Sequence, residues 1–131
     1  MWQQCHRIAV DCPICARGEP LGIVAELDAT WVTTDPEPPV PGYVCVVSKR
    51  HVVEPYELPP DEMDAFWREC MRVAHAVAEL LQPAKMNYEI HGNTIPHLHM
   101  HLYPRNIARN REELSRLPAV VGKPLRTDTS P

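Results

Sequence analysis

The chain has 131 residues, 13 lysines and arginines against 17 aspartates and glutamates for a net charge of −4, and 44% hydrophobic content. That is one domain's length, able to bury roughly two thirds of its unfolded surface without disulfide staples. The acidic balance without a basic block argues against a duplex nucleic-acid binder, no run of about 18 apolar residues suits a membrane span, and the start MWQQCHRIAV has no secretory h-region, so a cytoplasmic location is expected.

In chain order, the Cys-Pro-Ile-Cys spacing of Cys12 and Cys15 comes first; two thiols so placed suit a metal or redox chemistry. Five cysteines are an odd number, which makes a disulfide framework a poor reading. Strands are predicted over residues 22–26 and 30–33, joined by the turn-like Leu27-Asp28-Ala29, and over 42–48 between Pro-rich segments. Trp31, Tyr43 and Cys45 read as core residues, and Lys49-Arg50 as a solvated turn at a strand end.

A helix is predicted over 61–82, because Met63, Phe66, Trp67, Cys70, Ala74, Val77, Leu80 and Leu81 recur at spacings of three and four. Pro59 and Pro60 suit its first turn, Asp61, Glu62 and Asp64 complement its dipole, and Pro83 stops it. Cys70 falls on its apolar face. Strands over 86–91 and 97–103 follow, then a charged stretch at 110–117 that suits a short helix, and a polar, Pro-rich tail. Three strands, a long helix and two strands with short links predict an α+β domain built on an antiparallel sheet.

The chemistry concentrates in His97-Leu98-His99-Met100-His101-Leu102. On a strand, alternate residues share a face with side chains about 6.6 Å apart, so the imidazoles line one face and Leu98, Met100 and Leu102 line the other, under the helix. Imidazole serves as base, acid, nucleophile or metal ligand near neutrality. Two readings compete. Either the comb His97/His99/His101 chelates a catalytic metal, or the middle histidine is a nucleophile whose neighbours handle protons and charge. In the second reading Arg105 meets a substrate anion. His6 and His75 read as surface histidines.

The run His97-Leu98-His99-Met100-His101-Leu102-Tyr103-Pro104-Arg105 resembles the signature of the histidine triad (HIT) superfamily. Cys12-Pro13-Ile14-Cys15, the segment Val46-Val47-Ser48-Lys49-Arg50-His51, the helix entry at 57–62 and residues 87–92 resemble the same family in the same order, over about residues 8–107. The resemblance implies an antiparallel sheet of about five strands, one long helix and short N- and C-terminal helices. It also implies a HIT domain over 1–107 followed by an extension at 108–131.

By the same resemblance the activity is hydrolysis or transfer at the α-phosphorus of a purine nucleotide conjugate, a phosphoramidate or dinucleoside polyphosphate, in a homodimer without a catalytic cofactor. His99 stands at the nucleophile position. Its ring proton must be held by an acceptor, expected from a backbone carbonyl near Gly92. His101 matches the phosphate-contacting position, and His97 matches either the hydrogen-bonded chain or a structural zinc ligand. Asn93 and Thr94 fall where the family often places phosphate donors, and Asn87 and Arg105 are further candidates. Cys12, Cys15, His51 and His97 form the implied zinc set, with Cys5, His6 and His91 as possible substitutes. The alternatives are a metal-dependent hydrolase that uses the comb as ligands and a non-catalytic nucleotide-binding module.

Overall fold

The computed structural model describes residues 12–92 and 95–105. Cys5, His6, Asn93, Thr94, the stretch at 110–117 and the extension at 108–131 lie outside the described residues. The elements run α1 (Pro13–Arg17), β1 (Ile23–Glu26), β2 (Thr30–Thr33), β3 (Val44–Ser48), a 3₁₀ turn (Pro55–Glu57), α2 (Pro60–Leu81), β4 (Met86–Ile90) and β5 (His99–Pro104). The strands form one sheet in the order β1-β2-β3-β5-β4, antiparallel throughout. The expected α+β architecture of five antiparallel strands and one long helix is the one observed.

Helix α2 forms where the apolar spacing places it. Pro59 is the N-cap residue and Pro60 the first helical residue, Asp61 and Glu62 occupy the first turn, and the helix ends on Gln82 at φ 50° just before Pro83. Its buried stripe of Phe66, Cys70 and Ala74 advances four residues at a time and packs on Val46, Met86, Leu98, Met100 and Leu102. Alternation on β5 therefore does what period two dictates: Met100 and Leu102 sink beneath the helix, while His99 and His101 are half-buried on the other face.

Strand boundaries depart from the predicted spans for local reasons. β3 begins at Val44, not at 42, because Gly42 has φ +84°, outside the extended region, where a Cβ would also meet the Leu81 side chain. β5 begins at His99, not at 97, because the His97 N–H donates to Ile95 O at 2.9 Å and the Leu98 N–H to Val52 O at 2.8 Å. These bonds bend the chain away from the sheet ladder. His97 thus sits on the lead-in to the strand.

A second, smaller core lies on the histidine face. Cys12 and Ile14 of the N-terminal segment pack there against Cys45 and Val47 of β3, with Trp31, Tyr43 and Ile95 around them.

Candidate active site and metal cluster

Cross-strand register assembles the site. β3 and β5 pair Cys45 with His101 and Val47 with His99, and β4 and β5 pair Glu89 with His101 and Asn87 with Tyr103. Directly opposed residues share a face, so Cys45, His99, His101, Glu89, Asn87 and Tyr103 all belong to the face away from α2. His91 adds a fourth imidazole, 5.3 Å from His101 between ring centroids and 2.8 Å from Glu89 Oε1 through Nε2.

Each triad histidine has one ring nitrogen committed to a different partner. His97 Nε2 donates to Ser48 O at 2.7 Å, which leaves the lone pair on Nδ1. His99 Nδ1 donates to His97 O at 2.5 Å, which leaves the lone pair on Nε2. The acceptor for the His99 proton is therefore the carbonyl two residues upstream, rather than one near Gly92. His101 Nδ1 lies 2.6 Å from the Tyr43 hydroxyl.

Burial disfavours the charged forms of His97 and His101. It pushes the His97 pKa down, with the Ser48 carbonyl working in the opposite direction and His51 and His99 adding to the depression. His101 falls to about 4, chiefly through burial and then through His99 and His91, with Glu89 opposing. The Tyr43 phenol moves the other way, again chiefly by burial, and stays protonated. Cys45 is raised to about 12 by burial, offset in part by the neighbouring Tyr43 and Thr33 hydroxyls.

A cavity of about 230 Å³ opens on this face, with His99 and His101 in its wall beside Arg17, Asp35, Tyr43 and Cys45. Cys45 is a core residue, as expected, with Tyr43 packed against it, and both also line the cavity. Asn87 and Arg105 do not line this cavity. A larger hollow of about 490 Å³ lies between α2 and the far side of the sheet, but it carries no imidazole, and its Arg50 and Lys49 are paired with Glu62 and Glu26. The imidazoles lie with the smaller one.

Behind the triad, Cys12 Sγ and Cys15 Sγ lie 3.6 and 3.7 Å from His97 Nδ1. His51 Nδ1 is 3.2 Å from Cys15 Sγ and 3.1 Å from His97 Nδ1. The four donor atoms all fall within 4.8 Å of one another, a set that can hold a metal ion. Pro13 at the helix start and Gly18 at φ 87° beyond its end shape the five-residue α1, which carries Cys15, with Cys12 as its N-cap residue. The comb is therefore divided: His97 faces the cysteines and His51, whereas His99 and His101 face Cys45 and the cavity.

The HIT domain family model matches residues 17–107. The chain belongs to the HIT domain family. Among curated proteins this HIT chain is 29% identical over 88 residues to the asymmetrical bis(5'-nucleosyl)-tetraphosphatase of Schizosaccharomyces pombe, covering 63% of this chain and 47% of that one. It is 27% identical over 106 residues to protein hit of Bacillus subtilis, covering 77% and 68%. The chain thus spans about half the length of the yeast protein. Among solved structures, a Hit-like protein of Bartonella henselae superposes with TM-score 0.64 at 20% identity over 73% of this chain and 81% of that one. A HIT family protein of Bacillus anthracis superposes with TM-score 0.63 at 21% identity over 86% and 95%. These likenesses carry the fold.

Proposed function

We propose that this HIT-domain chain is a nucleotide hydrolase or nucleotidyl transferase that acts at the α-phosphorus of a purine nucleotide conjugate. The observation that carries the reading is the 2.5 Å bond from His99 Nδ1–H to His97 O, which fixes the tautomer a nucleophilic Nε2 needs. The Nε2 lone pair attacks the α-phosphorus, and the phosphorus–leaving-group bond breaks with its electron pair on the departing group. Water or another acceptor then cleaves the phosphorus–nitrogen bond and returns His99 to its starting form. Splitting one displacement into two is the gain of the covalent route.

His101 is the second working group. With the Tyr43 hydroxyl donating to Nδ1, the His101 proton resides on Nε2 as a donor to a phosphate oxygen. Asn93 and Thr94, together with Asn87 and Arg105, are the proposed further phosphate donors, and the cavity wall adds Arg17. The similarity to the bis(5'-nucleosyl)-tetraphosphatase supports a dinucleoside polyphosphate as a substrate class. An amine-linked phosphoramidate fits the same chemistry.

Zinc is the metal proposed for Cys12, Cys15, His51 and His97. A tetrahedron with bonds of about 2.0–2.3 Å to nitrogen and sulfur has edges of roughly 3.3–3.8 Å; four of the six donor separations run from 3.1 to 3.7 Å, and all lie within 4.8 Å. His97 also carries the outer hydrogen bond typical of a metal-ligating imidazole, on Ser48 O. Bound there, zinc would be structural.

The test is turnover of an adenosine phosphoramidate and a diadenosine polyphosphate by wild type and His99→Ala. The expected result is a loss on the order of 10³-fold or more in His99→Ala, with adenosine monophosphate binding retained. Monophosphate binding by a wild type that turns over neither compound would replace this reading with a binding module.

A further inference from the structure

We propose that Cys45, His99 and His101 form a second metal site, in the wall of the substrate cavity, where a thiophilic ion such as zinc occupies the nucleophile and shuts the enzyme off. The three residues each bring a donor atom within 4.8 Å of the others, and none of them belongs to the Cys12/Cys15/His51/His97 set. Register explains the convergence. Cys45 lies directly opposite His101 across the β3–β5 ladder, and His99 is two residues from His101 on the same face. One sulfur and two imidazole nitrogens are a donor set for zinc or monovalent copper rather than for magnesium or calcium.

The tautomers turn this cluster into a switch. His99 has given its Nδ1 proton to the His97 carbonyl, so the lone pair left for a metal is the one on Nε2. That is the lone pair the proposed nucleophile uses, so metal binding and attack on phosphorus exclude each other; this part of the inference rests on the function proposed above. The remaining coordination position faces the cavity, open to water. On binding, the metal–sulfur bond forms and the Cys45 thiol proton passes to solvent. The Tyr43 hydroxyl, released from His101 Nδ1 when that lone pair takes the metal, then joins the Thr33 hydroxyl in hydrogen-bonding a thiolate, which both stabilise better than a thiol. Three protein donors against four make this the weaker of the two sites, filled after the first.

The first measurement is the number of zinc equivalents the full chain holds against a chromophoric chelator. Wild type should hold one more than Cys45→Ala and Cys45→Ser, each checked for native fold by circular dichroism. Equal counts in folded variants overturn the site. Wild-type protein titrated with cobalt(II) provides a measurement that needs no variant: thiolate-to-cobalt charge-transfer absorbance should grow again with the second equivalent. A plateau after the first equivalent overturns the site. In zinc-buffered assays of adenosine phosphoramidate turnover, loading the second equivalent should cut the rate at least tenfold, and unchanged turnover at full loading overturns the switch. If protein holding only the first zinc equivalent turns over no nucleotide, the function proposed above fails, while the zinc count and the cobalt spectrum still decide the site.

Discussion

In the proposed mechanism, the 2.6 Å contact between the Tyr43 hydroxyl and His101 Nδ1 decides which nitrogen of His101 offers a proton to substrate. A hydrogen bond of this kind contributes about 0.5–1.5 kcal/mol. Tyr43→Phe should therefore lower kcat by about 3- to 10-fold while KM changes little, and ¹⁵N NMR should show the His101 tautomers mixing where wild type holds Nε2–H. The same spectra give a pH dependence. Burial depresses the folded-state pKa of His101 to about 4, below its ordinary 6.5, in a setting of His91, His99, Glu89, Tyr43, Tyr103 and Cys45. On acidification the unfolded chain takes up this proton first, so the contribution of His101 to stability is full above pH 6.5 and is lost as pH falls toward 4. A His101 ring that titrates near 6.5 would remove this assignment.

Histidines at 97, 99 and 101 announce themselves because few other patterns place three imidazoles at alternate positions. Tyr43 and Cys45 do not. Period two puts Tyr43, Cys45 and Val47 on one face of β3, but nothing in residues 43–47 says which face meets the histidines. That depends on β3 pairing with β5, between residues more than fifty apart in the chain. The division of the triad is hidden for the same reason, since it depends on the bend that Ile95 and Val52 impose on His97 and Leu98.

Helix α2 was the most legible element, because twenty-two residues of regular apolar spacing bounded by prolines leave little freedom. Its one buried acid was not legible. Glu69 stands beside Cys70 on the packed face, is 7% exposed, and accepts from the Thr30 hydroxyl at 2.6 Å and from the Ala29 N–H at 3.1 Å. It thereby clamps the β1–β2 turn and the start of β2 to the helix, and its carboxylate replaces the water those donors would lose. Glu69→Ala leaves a buried hydroxyl and an amide without an acceptor, which should cost about 1–3 kcal/mol in urea unfolding. Glu69→Gln keeps one acceptor oxygen and should cost less. Equal stability of Glu69→Ala and wild type would mean that water reaches these donors.

Across the whole molecule, β4 forms one edge of the sheet, and the half-exposed Tyr88 and Ile90 stand on it beside α2. An apolar edge strand is a pairing surface, and we propose a homodimer through it. Sedimentation should give twice the chain mass for wild type and a single chain for the double variant Tyr88→Lys, Ile90→Lys.

The proposed zinc site ties the N-terminal segment, through Cys12 and Cys15, to the paired strands β3 and β5, through His51 after the end of β3 and His97 on the approach to β5. A ligand that binds only the folded state stabilises it by RT ln(1 + [L]/Kd), about 4 kcal/mol when free metal stands 1,000-fold above Kd. Removing zinc with a strong chelator should therefore lower the thermal midpoint by several degrees, and Cys15→Ser should do so without any chelator. The effect on catalysis should be indirect and slow. His97 reaches the active site only through its carbonyl, which holds the His99 proton, so activity should outlast the metal and decline as the lead-in to β5 loosens. Immediate loss of turnover on chelation would instead mean that a metal touches the substrate, and His99 would then be a ligand rather than the nucleophile.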